Sequence, residues 1–357
     1  MMVFDLSINR TNWANFTESE ISDFVDFVFS EYRKNGFPYF PTDHEFRKSE
    51  LEKFTKFPYM TLLDGNDINQ SMHGLSFCWS YMPHAYSVKC NNMRTPVETF
   101  NDDDLFKKVI RKRLKMGDTV TPNGIRKMIK IFTGTQCVSN FRPTAAAVIY
   151  ELFGKGKTVW DMSCGYGGRM LGAMRAGVET YIGTEPCKET FDGLSAMLDE
   201  FPSFKMRTAY ELHQIGSECF IPETESLDLC FTSPPYFDTE KYSDDETQSY
   251  VKYKSKNDWM NGFMKDTLSN CYNGLKPDGI LAVNIANVKT YPNIEEDMVE
   301  VAKSVGFVSN TIMRYALSSL SRNRSNKYKY EHIFIFTKTQ KPDILDSLTK
   351  ASSRMLF

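Results

Sequence analysis

The sequence predicts an α/β fold, in which a mostly parallel sheet carries helices on both faces and an accessory region precedes it. From about residue 140 to residue 338, short segments of strand character alternate with helical patterns. Such alternation is typical of right-handed βαβ units. Residues 1–105 show no clear alternation and are rich in Phe, Tyr, Asn and Asp. No fixed-period repeat occurs, which excludes solenoids and propellers.

The composition indicates a folded globular protein. The chain has 357 residues, of which 41% are hydrophobic and 25% charged, enough for one large domain or two modest ones. The net charge of −2 predicts no polyanionic partner by itself, so any basic surface must be local. No apolar run approaches the roughly 18 residues of a membrane span, and the N-terminus lacks signal-peptide character. The eight cysteines form no C-x2-C pair. We therefore expect a cytoplasmic protein.

The strand candidates are mostly segments rich in β-branched and aromatic residues, a composition that strands favour. In chain order they are Thr158–Met162, Thr180–Thr184, Lys205–Thr208, Leu227–Phe231, Ile280–Ile285 and His332–Thr337. Helical patterns lie between several of them, at Pro143–Leu152, Gly168–Ala176, Cys187–Glu200, Trp259–Asn270 and Ile294–Val305. Before them, residues 21–29 predict a helix capped by Thr17 or Ser19. Because ligands bind beyond the carboxyl ends of parallel strands, the loops after the strands are the candidate site.

A basic segment lies between residues 104 and 130. Apolar residues recur there at helical spacing, which predicts an amphipathic helix, a turn at Pro122–Gly124 and a second helix. The segment is either a solvated helix face or a surface that contacts phosphates. Its basic residues are Lys107, Lys108, Arg111, Lys112, Arg113, Lys115, Arg126, Lys127 and Lys130. A second candidate contact segment, residues 314–330, carries Arg314, Arg322, Arg324, Lys327 and Lys329.

The loop after the first predicted strand is rich in glycine. It reads Asp-Met-Ser-Cys-Gly-Tyr-Gly over residues 161–167. Gly165 and Gly167 allow a tight turn and a close approach of the backbone to a ligand. The loop does not fit the G-x-x-x-x-G-K-[ST] pattern of a P-loop. Glu185 follows the second strand, 24 residues after Asp161, where an acid can hold the hydroxyls of a ribose.

The segment after the fourth predicted strand gives the sharpest signal. The strand runs directly into Ser233-Pro234-Pro235-Tyr236. Because each proline fixes its own backbone and restricts the residue before it, the chain cannot close a turn on itself there. A hydroxyl, a carbonyl and an aromatic ring are then presented in a preset arrangement.

Together these motifs resemble those of the amino-group DNA methyltransferases, which use S-adenosyl-L-methionine. The family's [Asp/Asn/Ser]-Pro-Pro-[Tyr/Phe] motif is matched by residues 233–236, and its Asp-x-x-x-Gly-x-Gly motif by residues 161–167. A third family element, before the cofactor loop, resembles Asn140-Phe141-Arg142-Pro143. The likeness covers roughly residues 132–338. It implies a Rossmann-like class I methyltransferase fold with a seven-stranded, mostly parallel sheet.

The resemblance also implies roles for individual residues. The Ser233 hydroxyl and the Pro234 carbonyl would accept the two hydrogens of the target amine, and Tyr236 would stack on the flipped base. The catalytic residues it implies are Ser233, Pro234, Pro235 and Tyr236. The cofactor-binding residues it implies are Asn140, Phe141, Asp161, Ser163, Gly165, Gly167, Glu185 and Glu211. No metal is implied.

This chain departs from the family pattern at several positions. Met162-Ser163 stand where the family usually has Pro-Phe, and Tyr166 stands between the glycines where it usually has Ser. For the family's acidic residue on the third strand, which the resemblance implies contacts the adenine of the cofactor, Glu211 is the nearest candidate.

On this basis we divide the chain into three segments. Residues 1–105 are an accessory region, with target recognition as the hypothesis for its role. Residues 106–339 form the S-adenosylmethionine-dependent methyltransferase domain, and residues 340–357 form a C-terminal tail. The segment between Phe237 and Trp259 is too short for a domain and carries several Tyr and Lys residues. We expect it to be a mobile loop over the base.

The predicted function is DNA methylation at the exocyclic amine of a base. Ser233 at the first motif position resembles the cytosine-N4 enzymes, whereas Asp or Asn there resembles the adenine-N6 enzymes. N6 of adenine, an RNA or protein N-methyltransferase, and a silent DNA-binding relative remain alternatives. Double-stranded DNA with a flipped base is the expected partner. The sequence leaves open a cognate restriction nuclease and the oligomeric state.

Two other interpretations fit poorly. Pro186-Cys187 resembles the nucleophilic dipeptide of cytosine-C5 methyltransferases, but it follows the second strand rather than the fourth, and no Glu-Asn-Val segment accompanies it. The cluster His73, Cys78, His84 and Cys90 lacks the usual two-to-four spacing of structural zinc ligands.

Overall fold

The computed structural model describes residue 6 and residues 16–202, 206, 208–242, 245–318 and 329–345. Contacts divide the chain into two compact units. The first comprises residues 1–41, 83–139 and 240–242, and the second residues 42–82, 140–239 and 243–357. This grouping differs from the expected segments 1–105, 106–339 and 340–357. Residues 42–82 group with most of the predicted methyltransferase domain, whereas residues 106–139 group with the first unit. The recognition role of residues 1–105 stays a prediction.

The helices found in the described residues are, in chain order, α1 Glu18–Asn35, α2 His44–Lys56, α3 Leu75–Trp79, α4 Pro96–Asn101, α5 Asp103–Lys115, α6 Pro122–Lys130, α7 Pro143–Phe153, α8 Gly168–Ala176, α9 Lys188–Glu200, α10 Ser249–Lys252, α11 Lys256–Asp258, α12 Lys265–Gly274 and α13 Ile294–Val305. A π-helix, Trp259–Met264, joins α11 to α12. Among all the residues that the structure describes, no helix combines the length and apolar character that a membrane crossing requires.

The strands are, in chain order, β1 Leu63–Asp64, β2 Asp67–Ile68, β3 Lys89–Cys90, β4 Thr158–Asp161, β5 Thr180–Thr184, β6 Ala209–His213, β7 Leu227–Thr232, β8 Glu240–Lys241, β9 Leu275–Ile285, β10 Val308–Ser318 and β11 Lys329–Thr337. In the second unit they form one sheet of order β1-β2-β10-β11-β9-β7-β4-β5-β6. The strands from β9 to β6 in this order pair in parallel, and β11 runs antiparallel to both neighbours.

This architecture confirms the predicted fold class. The seven strands from β10 to β6 are the mostly parallel sheet that the sequence predicts, and the short β1 and β2 extend its edge beside β10. Because β11 is antiparallel, its first residues lie at the same edge as the carboxyl ends of β4, β5, β7 and β9. That edge is where ligands bind in open α/β sheets.

Seven predicted elements are confirmed within about one residue. The strands β9 and β11 begin five and three residues earlier than predicted, and the third strand is predicted wrongly. It was expected at Lys205–Thr208 and lies at Ala209–His213. It is an edge strand with exposed residues along it, so its apolar signal in the sequence is weak. The prediction also omitted β10, which mixes Ser, Asn and Thr with its buried residues Met313 and Tyr315. The helix predicted at Trp259–Asn270 begins as the π-helix and continues as α12.

The first unit is a small helical body. Its α1 begins at a capping box, in which Thr17 accepts from the Glu20 backbone and the Glu20 side chain accepts from Thr17. Its apolar core joins α1 to α4, α5 and α6 through Phe24, Val28, Phe100, Phe106, Ile110 and Ile129. The strands β3 and β8 form a separate two-stranded ribbon in this unit.

The predicted basic segment folds as α5 and α6, and part of its charge is used internally. Pro122–Gly124 lies in the first turn of α6 rather than in the connecting turn, since Thr121 caps that helix. Lys107 forms an ion pair with Asp26 at 2.8 Å. Arg126 is buried and donates to the Pro38 carbonyl at 2.8 Å. A phosphate-contacting role for the remaining lysines stays a prediction.

The second basic segment is only partly described. Arg314 lies in β10 and binds both carboxylate oxygens of Asp67, at 2.6 and 2.7 Å. Arg322, Arg324 and Lys327 lie outside the described residues.

Close helix packing in the second unit depends on Gly172 of α8. A Cβ at this position would lie 2.5 Å from the Cβ of Ala146 and 2.8 Å from the backbone nitrogen of Ala147, both in α7. We expect Gly172→Ala to lower the free energy of unfolding by about 1–3 kcal/mol, because backbone must move to relieve the overlap. Urea denaturation measures this. Lys265→Ala, at an exposed helix position, is the control and should change stability little. Equal stability of both variants would contradict the close packing.

Candidate functional site

The loop after β4 is held by a buried ion pair. Asp161, the last residue of β4, has no exposed surface, and the Arg169 Nε lies 3.0 Å from each of its carboxylate oxygens. The Tyr181 hydroxyl donates to the same carboxylate at 2.7 Å, as does the Ser163 backbone N–H at 3.2 Å. Arg169 also donates to the Ser163 carbonyl. The carboxylate therefore holds the loop, and a contact of Asp161 with a cofactor stays a prediction.

The surroundings of this pair favour the charged state of Arg169 and the neutral state of Tyr181. Burial, the largest single influence, lowers the pKa of Arg169, but the Asp161 carboxylate together with Tyr181, Tyr150 and Cys164 outweighs burial, and the pKa is raised. Burial raises the pKa of Tyr181 well above its usual range, and the Asp161 charge raises it further, so the phenol stays protonated and donates. Arg169 was not predicted from the sequence, although it is the first non-glycine residue after the glycine loop.

The glycines of the loop adopt conformations that other residues rarely take. Gly165 and Gly167 have φ angles of +53° and +81°. Gly168 adds a steric requirement, because a Cβ there would lie 1.9 Å from the Phe141 carbonyl oxygen. The glycine loop can therefore lie directly against the segment that begins with Asn140.

The segment before α7 joins the loop as the sequence predicts. The Asn140 side-chain amide donates to the Tyr166 carbonyl at 3.0 Å. The Phe141 ring stacks on Tyr315 of β10 with a centroid distance of 4.8 Å, and it meets the edge of Phe231 at 5.4 Å. Both predicted residues are buried next to the loop, while their contacts with a cofactor stay predictions.

Sequence reasoning missed the contribution of α3 to this region. Tyr166 stands between the two loop glycines in the sequence, and the centroid of its ring lies 5.2 Å from that of the Trp79 ring. The buried Cys78 thiol is hydrogen-bonded with the Asn140 side chain. No motif marks these residues, and they come from the region that the sequence assigned to an accessory role. Only the packing of residues 42–82 in the second unit reveals them.

Glu185 meets the glycine loop from the end of β5, as predicted for a ribose-binding acid. Its two carboxylate oxygens accept from the Gly165 N–H at 2.9 Å and from the Cys187 N–H at 3.0 Å. Burial raises the pKa of Glu185 to about 7, although these two N–H groups oppose the rise. A carboxyl at this point with a pKa near neutral pH can accept hydrogen bonds from ribose hydroxyls when it is ionised.

Glu211 does not join the other predicted cofactor residues. It is exposed in the middle of β6, opposite Ile182. The strand reaches the ligand-binding edge two residues later, at His213, whose carbonyl accepts from the Glu185 N–H at 3.1 Å. Its ring packs on Phe220 with a centroid distance of 4.8 Å. The side chain from β6 that lies at the edge is therefore His213 rather than Glu211.

The segment Ser233–Tyr236 follows β7 directly and lies at this same edge. Pro234 is buried, and Ser233, Pro235 and Tyr236 are partly buried. The next residue, Phe237, has a φ angle of +55°, a strained conformation for a side chain of this size. The Thr239 N–H then donates to the Tyr236 carbonyl at 3.2 Å. The segment is therefore fixed by a strand before it and a tight turn after it.

Two buried polar atoms beside this segment have no hydrogen-bond partner in the described part of the chain. They are the Thr232 hydroxyl and one carboxylate oxygen of Asp238. Most buried polar groups are paired, so unpaired ones are expected mainly where a ligand or water completes the bonding.

The expected mobile loop after Phe237 is in part firmly packed. Lys252 forms an ion pair with the buried Glu218 side chain at 3.0 Å. The Trp259 indole donates to the Ser249 hydroxyl at 3.1 Å, and the Tyr253 ring packs against Gly262. Ser249 and Tyr253 anchor the segment to the π-helix, and Lys252 anchors it to Glu218, so Lys252 and Tyr253 are poor candidates for free contacts over a base.

The rejected interpretations gain no support. Cys187 is buried at the start of α9, and burial raises the pKa of its thiol, which disfavours a nucleophilic thiolate. His73 stacks on Phe57 with a centroid distance of 4.2 Å and contacts the Ser71 hydroxyl. Across the described residues, no group of three or more His, Cys, Asp or Glu side chains is placed to hold a metal ion.

The sequence and structure were compared with known proteins. A family model described as DNA methylase, of the N6/N4 methyltransferase type, matches residues 227–355. No curated protein matches the chain. Among solved structures, a TehB-like SAM-dependent methyltransferase from Corynebacterium glutamicum is 16% identical over 56% of this chain and 90% of its own, with a TM-score of 0.37. A methyltransferase from Pyrococcus furiosus is 14% identical over 64% and 98%, with a TM-score of 0.38. Such distant likenesses assign no substrate.

The family match confirms the predicted resemblance to amino-group DNA methyltransferases for the part of the chain from β7 onward. This part contains residues 233–236 but not the glycine loop. The match supports S-adenosyl-L-methionine as the cofactor, and it does not distinguish cytosine from adenine as the target base.

The buried ion pair gives a direct test of how the loop is held. Asp161→Asn leaves the Arg169 charge buried without its partner, and we expect the free energy of unfolding to fall by about 3–5 kcal/mol. Chemical denaturation measures this loss. Asp192→Asn, which removes one partner of the exposed Lys188–Asp192 ion pair, is the matched control and should change stability little. A small loss in Asp161→Asn, comparable to the control, would contradict the role of the pair.

Proposed function

We propose that this protein is an S-adenosyl-L-methionine-dependent DNA methyltransferase that methylates the exocyclic amine of a flipped base, with N4 of cytosine as the favoured target. One observation carries the proposal. The segment Ser233–Tyr236 lies within the matched DNA methylase region, at the end of a strand that pairs with β4 next to the glycine loop. A base held at residues 233–236 would therefore face a cofactor held at that loop.

The residues around the glycine loop fit the cofactor. Glu185 supplies an acceptor for the ribose hydroxyls, and Gly165 and Gly167 allow the backbone to approach the ligand closely. Asn140, Phe141 and Ser163 lie next to the loop and would complete the site. When bound, S-adenosyl-L-methionine supplies a methyl group that its sulfonium already activates.

The catalytic segment would act by positioning. The lone pair of an exocyclic amine is delocalised into the base, so the nitrogen is a poor nucleophile. The Ser233 hydroxyl and the Pro234 carbonyl accept the two amine hydrogens, which draws the nitrogen toward tetrahedral geometry. The nitrogen would form the new N–C bond as the methyl–sulfur bond breaks, the electron pair of that bond would stay on sulfur, and the surplus amine proton would pass to solvent. Tyr236 stacks on the base and fixes its plane, and such orientation can supply much of the rate.

Ser233 favours cytosine N4 over adenine N6, because the family's cytosine-N4 enzymes resemble this chain at that position. Adenine N6 is the alternative with the same mechanism. An RNA or protein acceptor on the same fold is a weaker candidate. The resemblance leaves a cognate restriction nuclease open.

The identity of the modified base tests the proposal. The purified protein is incubated with DNA of mixed sequence and labelled S-adenosyl-L-methionine, and the nucleosides are analysed by mass spectrometry. We expect N4-methylcytosine, and a loss of at least about a hundredfold in Tyr236→Ala because base stacking and orientation are lost. Glu223→Gln, an exposed position that precedes β7 and therefore lies beyond the opposite end of that strand from residues 233–236, is the control.

Each outcome of this experiment is informative. N6-methyladenine would keep the mechanism and replace the base. Label found in RNA or protein but not in DNA would overturn the DNA assignment. Cofactor binding without transfer to any of these acceptors would indicate a silent relative.

Glu185 predicts a pH dependence of cofactor binding. Its pKa of about 7 in the free protein is raised above the ordinary carboxyl value, so protonation begins near neutrality. Because the ionised carboxylate is the better acceptor for ribose hydroxyls, we expect the Kd for the cofactor to rise as the pH falls below 7, by up to about tenfold per pH unit. Calorimetric titration between pH 5.5 and 8.5 measures it. Glu185→Gln should bind more weakly at pH 8 and lose most of this dependence, and an unchanged dependence would assign it to another group.

A further inference from the structure

Glu331 is an acidic residue at the catalytic edge of the sheet that the proposed mechanism does not use. It is the third residue of β11, and the start of this antiparallel strand lies beside the carboxyl ends of the parallel strands. In register it faces Tyr315 of β10, one position beyond the last pair of β11 with β9, which is His332 with Ile285. The topology therefore brings a carboxylate to the place where residues 233–236 lie.

The carboxylate of Glu331 contacts the catalytic segment directly. The Tyr236 hydroxyl lies 3.4 Å from Glu331 Oε2, with the hydroxyl as the donor. The Asn284 side chain also faces Glu331 and forms a hydrogen bond that favours its charged form. Within the described residues, no Lys or Arg forms an ion pair with this carboxylate. A structural ion pair therefore does not explain why a partly buried acid lies here.

We propose that Glu331 is the positioning residue of Tyr236. Its carboxylate accepts a hydrogen bond from the Tyr236 hydroxyl and thereby fixes the ring in the plane on which the flipped base stacks. The inference rests on the proposed function for the role of the ring. A tyrosine ring on a loop can turn about its side-chain bonds, and a buried phenol generally needs a partner for its hydroxyl. A carboxylate acceptor gives a stronger bond than a neutral one.

The surroundings of Glu331 make this contact sensitive to pH. Burial raises the pKa of Glu331, while Asn284, Tyr236, Lys329 and Arg142 oppose the rise. Tyr315 faces it from β10 with a pKa raised to about 12, mainly by burial, so that phenol stays neutral in the working range.

The neighbouring ionisable group, His332, contacts Glu295 at 3.1 Å and does not share the carboxylate of Glu331. Because the pKa of Glu331 is raised, its ionised form is lost as the pH falls through a value above the ordinary carboxyl range. Protonation weakens the bond from Tyr236, so kcat should fall on the acid side.

Kinetics of a double-mutant cycle test the role. Glu331→Ala, Tyr236→Phe and the double variant are assayed on DNA at saturating cofactor. If Glu331 acts through the Tyr236 hydroxyl, each single variant should lower kcat by about tenfold, and the double variant should lower it no further than either alone. The KM for the cofactor should not change. Multiplying losses would overturn the proposal.

The conservative variant Glu331→Gln separates the acceptor from the charge. Its amide oxygen can still accept from Tyr236 but carries no charge, as in the protonated carboxyl, so we expect a kcat between that of the wild-type protein at neutral pH and that of Glu331→Ala. It cannot titrate, so the acid limb that Glu331 causes should disappear. The acid limb persisting unchanged in Glu331→Gln would overturn the pH role. Glu223→Gln is the matched control for the carboxylate-to-amide change and should leave kcat and its pH profile unchanged.

A measurement without DNA tests the contact itself. In protein labelled with ¹³C-tyrosine, the Tyr236 ring signal is assigned by its loss in Tyr236→Phe. We expect this signal to shift with pH in the wild-type protein, with a midpoint above the ordinary carboxyl range, and to stay constant in Glu331→Gln. A signal that titrates equally in both would overturn the inference. Absence of methyl transfer by the wild-type protein would instead overturn the proposed function, and the two failures are thereby distinguished.

Discussion

The buried ion pair between Asp161 and Arg169 is the interaction on which the candidate site depends. It lies at the end of β4, the middle strand of the parallel part of the sheet, and it fixes the backbone of Ser163 from both sides. The glycine loop can then stay open at Gly165 and Gly167 without losing its shape. Taking both charges out of water is costly, and the cost is offset only because Tyr181 and the loop backbone complete the hydrogen bonding.

Three chain segments that are distant in sequence meet around this loop. Residues 140–141 approach it through Gly168, α3 covers Tyr166, and Glu185 accepts from Gly165. The Phe141 ring also contacts Phe231 of β7, the strand that carries the Ser-Pro-Pro-Tyr segment. The proposed cofactor and base sites are therefore linked by packed aromatic rings, so a substitution at one site should shift side-chain positions at the other.

The two halves of the candidate site are built differently. The cofactor half depends on glycines, a buried ion pair and a carboxyl whose pKa burial brings to about 7. The half at residues 233–236 depends on backbone rigidity, because prolines precede a residue with positive φ and a tight turn follows. Rigid donors and acceptors suit a reaction in which orientation supplies the rate. Glu331, near the start of β11, then gives the Tyr236 hydroxyl of this rigid segment a hydrogen-bond acceptor.

The sequence by itself determined the fold class, most strand and helix bounds, and the residues of both motifs, because these features are local. Strand periodicity, positive-φ glycines and paired prolines act over a few residues and can be read without the fold. The tertiary structure alone decided which groups meet across the chain. It pairs Arg169 with Asp161 and shows that His213, not Glu211, is the residue of β6 at the ligand-binding edge. It also brings Trp79 and Glu331 to the site. Such contacts depend on strand order and register, which no local pattern encodes.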